Sequence, residues 1–459
     1  MRTEVGQLLF RLGDRLNNPV GILSVLDQLQ YSQWLPEHEL RQLSWTRFQA
    51  LLHYAYTNVP YYRRALDTAG IHPSDITEPQ HISRIPILRK ADVQAAGHSI
   101  RPARLRRGAV PVDTSGSTGK HLSFLVEKVA RSHFLAAQLR GLSWYGIQPG
   151  EPMARVWGVP FRLYPRLRER VKDRILNRLR LSVFDMDSMG MRRFIQLCRV
   201  FRPSVLYGYA SAVARLAQFV NSEGLSDAVR SLRVAATTSE VLYAHHRQAI
   251  HEAFAVPVAN EYGCCEVGII AYQCPEGALH IAVENVLVEV VRDGQPVQPG
   301  ESGTILVTGL LNRATPFIRY ELGDIGALEP NPCRCGRGLP TMSPVVGRTT
   351  DWVQTRDGQS IPAHVFMYAM GTGIADRWGI REYRVIQQSL DHFRVQVVPS
   401  SSYRPEVEQS FAAELRRHIG ATANVSFEQL NDLPKDPSGK LRYFVSEIGT
   451  GEPHGRQGG

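Results

Sequence analysis

The sequence predicts an α/β protein in which a large N-terminal domain of mixed β-sheets and helices precedes a small α+β domain. From about residue 101 to residue 344, short β-type runs such as SVLYGY and TILVTG alternate with helical stretches such as SAVARLAQFVNSE. After Arg348 the order becomes strand, strand, helix and strand over about a hundred residues. Such a change in the order of elements is typical of a second domain.

The elements outside the α/β region follow from local patterns. Residues 1 to about 100 read as mostly helical, and the apolar spacing of WTRFQALLHYAYTNV predicts a helix that ends before Pro60. In the small domain, EYRVIQQ and HFRVQVV predict two strands, and EVEQSFAAELRRHI predicts a helix before the strand NVSFEQL. We therefore expect domains at 1–346 and 347–446, with a disordered tail at 447–459.

Composition excludes several classes of protein. The chain has 459 residues, of which 43% are hydrophobic and 21% charged, and this balance is typical of globular domains. It contains no run that approaches the ~20 apolar residues of a bilayer crossing, so no transmembrane segment and a cytoplasmic location are expected. Six cysteines give no disulfide framework, in keeping with a reducing compartment.

The formal net charge of +10 raises the question of a nucleic-acid partner. The densest basic stretch, residues 162–181, has Val171, Ile175, Leu176 and Leu179 at helical spacing, which predicts a basic amphipathic helix with a solvated face. Basic and aromatic residues do not interleave as they do in single-strand binders. No nucleic-acid partner is expected, and a homodimer is compatible with the sequence.

Two Gly- and Ser-rich segments end in lysine. DTSGSTGK (113–120) combines four hydroxyls and two glycines with Lys120, a composition that suits phosphate oxygens, although its spacing is not that of a Walker loop. DLPKDPSGKLR (432–442) places Lys440 on a turn near the end of the small domain. Each segment alone fits a solvated surface turn as well as a phosphate site.

Five motifs together are more specific than either lysine. TSGSTGK, EYGCCE, RYELGDIG, GRTTD and PSGK occur in this order along the chain. Their order and approximate spacing resemble those of the adenylate-forming superfamily, and in particular of the phenylacetate-CoA ligase branch and its CapK-like relatives. The resemblance extends over nearly the whole chain and includes NVPYYRRAL and IPILRKADV.

The resemblance implies a role for each matching residue. The phosphate loop over ATP would comprise Thr114, Ser115, Gly116, Ser117, Thr118, Gly119 and Lys120. The residues around the adenine and the acyl phosphate would be Ser239, Glu240, Glu261, Tyr262 and Gly263. Glu266 would bind Mg²⁺, Asp324 would accept hydrogen bonds from the ribose hydroxyls with Arg348 nearby, Asp351 would be the hinge between domains, and Lys440 would be catalytic during adenylation.

One position departs from the superfamily pattern. The residue that is usually a threonine beside the AMP phosphate is Cys265 here. A thiol is a weaker hydrogen-bond partner for phosphate than a hydroxyl, and a packed, buried cysteine is the preferred interpretation over a covalent role.

A second group of residues has the chemistry of a metal site. Cys274, His280, Cys333 and Cys335 could close a tetrahedral structural Zn²⁺ site, with buried thiols without metal as the alternative. The resemblance also implies an acyl pocket near Tyr207, Gly208, Tyr209 and Ala210, and an aromatic or small carboxylic acid as the substrate.

The implied function is ATP-dependent activation of a carboxylic acid to an acyl adenylate, followed by thioester formation with CoA. An amide synthetase that transfers the acyl group to an amine is one alternative. A zinc-containing protein that binds polyanions or nucleic acid is another, but it leaves the ordered motifs unexplained.

Overall fold

The computed structural model describes residues 2–17, 20–104, 108–114, 122–158, 172–345, 347–348, 352–356, 360–362, 379–400, 403–419, 422–434 and 441–448. Contacts divide the chain into two compact units. The first comprises Met1–Leu242 and His246–Val345, and the second comprises Tyr243–His245 and Val346–Gly459. No helix in the described ranges is both long and apolar enough to span a bilayer.

The helices are numbered in chain order. They include α1 (Arg2–Asn17), α2 (Ile22–Ser32), α3 (Glu37–Asn58), α4 (Pro60–Thr68), α5 (Lys90–Ala96), α6 (Lys128–Ser143), α7 (Ser188–Phe201), α8 (Ala210–Ser222), α9 (Ala244–Phe254) and α10 (Glu406–Ile419). Helix α3 ends just before Pro60, as predicted, and Pro60 begins α4, because proline lacks an N–H and is tolerated in a first helical turn.

The central sheet of the first unit has eight strands. Their order is β14-β9-β8-β7-β6-β5-β3-β4. They are β3 (Met153–Trp157), β4 (Arg178–Ser182), β5 (Val205–Tyr209), β6 (Val234–Thr238), β7 (Val258–Cys264), β8 (Gly268–Gln273), β9 (Leu279–Ile281) and β14 (Thr341–Met342). Strands β3 to β7 pair in parallel, whereas β8, β9 and β14 add antiparallel neighbours.

Apolar residues on both sides of the central strands explain their position in the sheet. Every residue of β5 and β6 is buried, as expected for parallel strands that are covered on both faces. On one face, α7, α8 and α9 pack against the sheet around Val213, Ile195 and Ile250. Helix α6 packs against β8.

Two smaller sheets complete the strands of the first unit. A hairpin is formed by β1 (Ala109–Thr114) and β2 (Leu122–Glu127). The other sheet includes β11 (Gln295–Pro296), β10 (Val286–Arg292), β12 (Gly303–Gly309) and β13 (Tyr320–Gly326), in that spatial order. Phe48 of α3 and Val307 of β12 belong to one buried cluster, which joins the helical start of the chain to this sheet.

The basic stretch at 162–181 corrects one prediction. Residues 159–171 lie outside the described ranges, so Val171 cannot be compared. Residues 172–175 are helical, as predicted, whereas Leu176 lies in a turn and Leu179 lies in strand β4. Asn177 has a left-handed backbone with φ of 51°, and β4 then pairs in parallel with β3. Sheet pairing therefore overrides the helical spacing of the apolar residues from β4 onward.

The second unit has the predicted order of strand, strand, helix and strand. The strands of this unit are β15 (Gly347–Arg348), β16 (Trp352–Gln354), β17 (Ser360–Pro362), β18 (Ile380–Gln387), β19 (His392–Pro399), β20 (Asn424–Gln429) and β21 (Phe444–Ser446). Four of them form a sheet in the order β20-β19-β18-β21. Phe411 of α10 is fully buried and packs edge-on against Tyr383 and Phe427. The expected α/β class with a smaller α+β part is confirmed, whereas the exact domain limits and the tail at 447–459 stay predictions.

Candidate active site

The carboxyl end of β7 is where the direction of strand pairing changes. β7 pairs in parallel with β6 up to Glu261 and antiparallel with β8 from Glu261 to Cys264. Crevices beyond the carboxyl ends of parallel strands are common binding sites in α/β proteins. Gly263 permits the close pairing, because a Cβ at this position would lie 2.6 Å from the carbonyl oxygen of Gly268.

Two tyrosine hydroxyls connect β7 and the turn after it with strand β13. The Tyr262 hydroxyl donates to Oδ2 of Asp324 at 2.9 Å. The Tyr320 hydroxyl donates to Oε1 of Glu266 at 3.2 Å. Two carboxylates that are distant in sequence, Glu266 and Asp324, are thereby held in one region, and both are half-buried.

Ser239 and Glu240 lie immediately after β6. Ser239 has a left-handed backbone with φ of 69°, a conformation that is costly for a residue other than glycine and that often occurs at functional sites. The Glu240 carboxylate accepts the backbone N–H of Ser211 at 2.8 Å in the first turn of α8. The carboxylate therefore stabilises a helix N-terminus whose N–H groups would otherwise lack partners.

Glu261 is buried and accepts hydrogen bonds from the side chains of Tyr207, Gln138 and Thr238. The Tyr207 hydroxyl donates to Oε1 at 2.7 Å, and the Gln138 amide donates to Oε2 at 2.9 Å. Burial raises the pKa of Glu261. Together with Tyr207, it lines a cavity of about 250 Å³ in the first unit.

The predicted pocket residues differ in their surroundings. Tyr207 lines that cavity, whereas Gly208, Tyr209 and Ala210 are not among the described residues that line it. The ring of Tyr209 lies 4.4 Å from that of Trp157, and Ala210 begins α8. Gly208 lies between Tyr207 and Tyr209 on β5.

Several predicted residues cannot be placed. Ser115, Gly116, Ser117, Thr118, Gly119, Lys120, Asp351 and Lys440 lie outside the described ranges. Thr114 ends strand β1 and Arg348 ends strand β15, and only their backbones are described. Their roles stay predictions.

Cys265 is exposed, which corrects the preferred interpretation of a packed, buried cysteine. It lies in the turn between β7 and β8, where the chain reverses direction at the edge of the site. The preceding residue, Cys264, is the more enclosed of the two, and burial raises the pKa of its thiol.

Cys274, His280, Cys333 and Cys335 converge as the sequence suggested. Their ligand atoms all lie within 4.8 Å of one another. The sulfur atoms of Cys274 and Cys333 are 3.7 Å apart, and two thiolates at ~2.3 Å from one tetrahedral Zn²⁺ would be roughly 3.8 Å apart. The donor set and its spacing therefore fit a structural zinc ion.

The histidine of this group is oriented for binding. His280 Nδ1 donates to the carbonyl oxygen of Leu339 at 3.1 Å, so Nε2 is left as the ligand atom, 3.2 Å from Sγ of Cys335. Such second contacts fix the tautomer of metal-binding histidines. Burial lowers the pKa of His280 to about 4, which keeps the ring neutral as a ligand must be.

Other side chains around the cavity carry no signal in the sequence. Arg155, Trp157 and Arg178 line it together with Gln138. Trp157 and Arg155 alternate along β3, and this period-2 pattern places both on one face of the sheet. Arg178 lies beside β3 because β4 pairs with that strand. The helix predicted for this segment gave no indication of this pairing.

Comparisons with known proteins agree with this architecture. Residues 354–447 match the family model of the CapK C-terminal domain. The chain is 26% identical to the phenylacetate-coenzyme A ligase of Thermus thermophilus over 443 residues, covering 90% of this chain and 97% of the ligase. It is 24% identical to protein CapK of Staphylococcus aureus, covering 90% of each chain.

Solved structures show the same fold. The structure of a 2-hydroxyisobutyryl-CoA ligase in the postadenylation state matches with a TM-score of 0.74 and 20% sequence identity, covering 91% of each chain. The fold is therefore that of adenylate-forming ligases, with a large N-terminal and a smaller C-terminal part. The resemblance to phenylacetate-CoA ligases and CapK is confirmed over most of the chain.

Proposed function

We propose that this chain, a relative of the phenylacetate-CoA ligases and of CapK, is an AMP-forming acid–CoA ligase. It activates a carboxylic acid with ATP to an acyl adenylate and pyrophosphate, and then transfers the acyl group to the thiol of CoA. The ligase relatives span nearly the whole chain, and the structural neighbours include ligases bound to an acyl adenylate and to CoA. An aromatic or small acid as substrate is the finer part of the proposal.

The observation that carries the proposal is the pairing of Tyr262 with Asp324. It brings the end of strand β7 to strand β13, which are the parts of the chain assigned to the acyl phosphate and to the ribose. In this proposal Asp324 accepts hydrogen bonds from the ribose hydroxyls. Tyr262 keeps the Asp324 carboxylate oriented, which lowers the entropy lost when the nucleotide binds.

The negative charge of the reactants must be offset by positive charge in the site. A carboxylate that attacks the α-phosphate brings two anions together, so positive charge must be supplied where the charge develops. Lys440 is the cation that we assign to this role, with Lys120 and the hydroxyls of the 114–120 loop at the other phosphates. The half-buried Glu266 is a suitable oxygen ligand for Mg²⁺, which would neutralise phosphate charge.

The acceptor is CoA in this proposal, because the ligase relatives that match this chain are named for CoA. No observation favours the amide synthetase or the polyanion-binding alternative. The zinc group fits a structural role, since its four ligands leave no coordination position for water. A cytoplasmic location, where ATP and CoA are available, completes the proposal.

Acid-dependent exchange of labelled pyrophosphate into ATP tests the first step. We expect exchange with at least one member of a panel of aromatic and small aliphatic acids. Lys440→Ala should abolish exchange while ATP still binds, and Lys435→Ala, which removes another lysine of the same segment, should retain it. Absence of exchange with every acid of the panel would refute the proposed function.

Product analysis tests the second step. The enzyme is incubated with an activated acid and with either CoA or a set of primary amines, and the products are identified by mass. We expect the acyl-CoA thioester together with AMP. An amide that forms in preference to the thioester would reassign the acceptor while leaving the adenylation step in place.

A further inference from the structure

Two arginines form one wall of the cavity beside Glu261. The cavity lies between α6 and the face of the central sheet that carries Arg155, Arg178 and Tyr207. These residues are neighbours in the sheet, because Arg155 is paired with Tyr207 of β5, and Arg178 is paired with Met153 of β3. A pocket for an uncharged aryl or alkyl chain would not require two guanidinium groups.

The position of Arg155 is fixed by aromatic rings. Its Cζ lies 4.3 Å from the centroid of Trp157 and 5.5 Å from that of Tyr207. Stacking on aromatic faces holds a guanidinium plane while its edge remains able to donate hydrogen bonds. Nε of Arg155 is buried and has no hydrogen-bond partner in the described part of the chain.

Carboxylates in the described ranges offset the charges of these arginines only at a distance: Asp173 acts on both arginines, and Glu261 interacts with Arg155. Asp173 is engaged by Arg180 at 2.7 Å, and no ion pair of Arg155 or Arg178 is found among the described residues. Both oxygens of Glu261 already accept hydrogen bonds from Tyr207 and Gln138.

Burial penalises the charge of both arginines. Burial and the neighbouring charge of Arg155 lower the pKa of Arg178 to about 10, and burial also lowers that of Arg155. Positive charge that is partly withdrawn from water is costly, and an anion that enters the cavity would offset the cost. A guanidinium is also the side chain best suited to a carboxylate, since it can donate two parallel hydrogen bonds.

The rest of the cavity limits the size and character of its ligand. Its volume of about 250 Å³ is below the ~300 Å³ at which pockets for drug-sized ligands begin. Apolar side chains supply the remaining wall, among them Phe134, Leu135 and Ile269. The cavity therefore suits a short apolar skeleton with an anionic group against the arginines.

Resting on the proposed acid activation, we infer that the substrate is a small dicarboxylic acid: one carboxylate is activated beyond the end of β7, and Arg155 and Arg178 bind the other. The two arginines thus determine specificity within the acyl pocket. They select against monocarboxylic acids of the same skeleton, because such acids bring no second carboxylate to the guanidinium groups.

The test compares matched acids on the full-length enzyme. Glutarate is paired with pentanoate, and 4-carboxyphenylacetate with phenylacetate, and kcat/KM is measured by pyrophosphate exchange. In at least one pair, we expect kcat/KM for the diacid to exceed kcat/KM for the monoacid by tenfold or more. Arg155→Met and Arg178→Met should each lower kcat/KM for that diacid roughly ten- to hundredfold, as for loss of a charged hydrogen bond, and change the monoacid value less than threefold.

Two further variants separate charge from folding. Arg155→Lys keeps the charge and should retain part of the diacid preference. Arg192→Met removes an arginine of α7 that pairs with Glu223 outside the cavity, and it should leave the preference unchanged. If Arg155→Met does not fold, the comparison of matched acids on the unaltered enzyme still decides the inference.

Calorimetric binding of the same acids distinguishes failure of this inference from failure of the proposed function. Diacid binding that depends on Arg155 but occurs without any exchange would retain the subsite and refute acid activation. Exchange with equal kcat/KM for the monoacid and diacid of both pairs would overturn the inference and retain the ligase. If neither binding nor exchange occurs, both are refuted.

Discussion

Tyr262 links strand β7 to the carboxylate assigned to the ribose. Its hydroxyl is 2.9 Å from Asp324, and Tyr262→Phe removes this hydrogen bond with little change in shape. Because one such bond contributes about 1 kcal/mol, we expect KM for ATP to rise about fivefold while kcat changes less. Tyr56→Phe, which removes a tyrosine–aspartate bond between α3 and α4, is the matched control and should leave KM for ATP unchanged. An unaltered KM for ATP in Tyr262→Phe would show that the hydrogen bond to Asp324 does not contribute to nucleotide binding.

Cys265 and Cys198 differ strongly in accessibility. Cys265 is exposed in the turn after β7, whereas Cys198 is buried and burial raises the pKa of its thiol to about 12. We expect iodoacetamide to alkylate Cys265 much faster than Cys198, because the thiolate is the reactive form. ATP together with the acid should slow the reaction at Cys265, as measured by peptide mass spectrometry, with Cys198 as the internal reference. Labelling of Cys265 at the same rate with and without ligands would place it away from the bound nucleotide.

At the scale of elements, strand β13 is anchored by a buried ion pair. The guanidinium of Arg319 is 3.1 Å from Glu289 of β10, and the Arg319 side chain is 1% exposed. Glu289→Ala should reduce the free energy of unfolding by about 3–5 kcal/mol, since it leaves a buried charge without its partner. Glu223→Ala, which breaks the surface pair with Arg192, should cost less than about 1 kcal/mol. Denaturant unfolding measures both, and equal losses would contradict this role for Glu289.

The zinc group connects β8 and β9 with the turn that carries Cys333 and Cys335. We expect one zinc ion per chain after extensive dialysis, and Cys333→Ser should reduce both the zinc content and the melting temperature, because bound metal stabilises the folded state. Cys198→Ala should keep the zinc, since that cysteine is buried elsewhere. A folded, metal-free protein with an unchanged melting temperature would refute the site.

How far the sequence predicts each element depends on whether its signal is local. Helix α10 and strand β20 were predicted almost to the residue, because Pro405, the apolar spacing and the turns are all local. Leu179 was assigned to the wrong kind of element, since β4 owes its conformation to pairing with β3. The cavity around Arg155 could not be predicted for the same reason: its wall combines strands and a helix that are distant in sequence.

At the scale of the whole molecule, each compact unit has a core of its own. Phe411→Ala should open the core of the second unit, at a cost of roughly 3–5 kcal/mol. We expect faster hydrogen exchange in residues 379–448, while the peptides of residues 122–345 keep their protection. Phe48→Ala, in the core of the first unit, is the matched control and should give the opposite pattern. Uniform loss of protection in both variants would indicate one cooperative unit.

The candidate site could be predicted only where motifs carry it. Three of the five motifs contribute Tyr262, Glu266 and Asp324, and hydrogen bonds hold these side chains in one region, while their roles stay predictions. The motifs contain nothing about the acid, because the residues that surround an acyl group need only line a cavity and can come from any strand or helix. Arg155 and Trp157 show no distinguishing pattern in the sequence, and the stacking of the guanidinium on the indole ring is seen only in the folded chain.

Successive residues of β7 serve different neighbours. Glu261 faces the cavity and Tyr262 faces Asp324, since side chains alternate between the two sides of a strand. Substitutions at alternate positions can therefore alter one partner without disturbing the other. A lineage of such enzymes could acquire new acids while its handling of ATP stayed under the same selection, and a laboratory library could vary the cavity-facing positions alone.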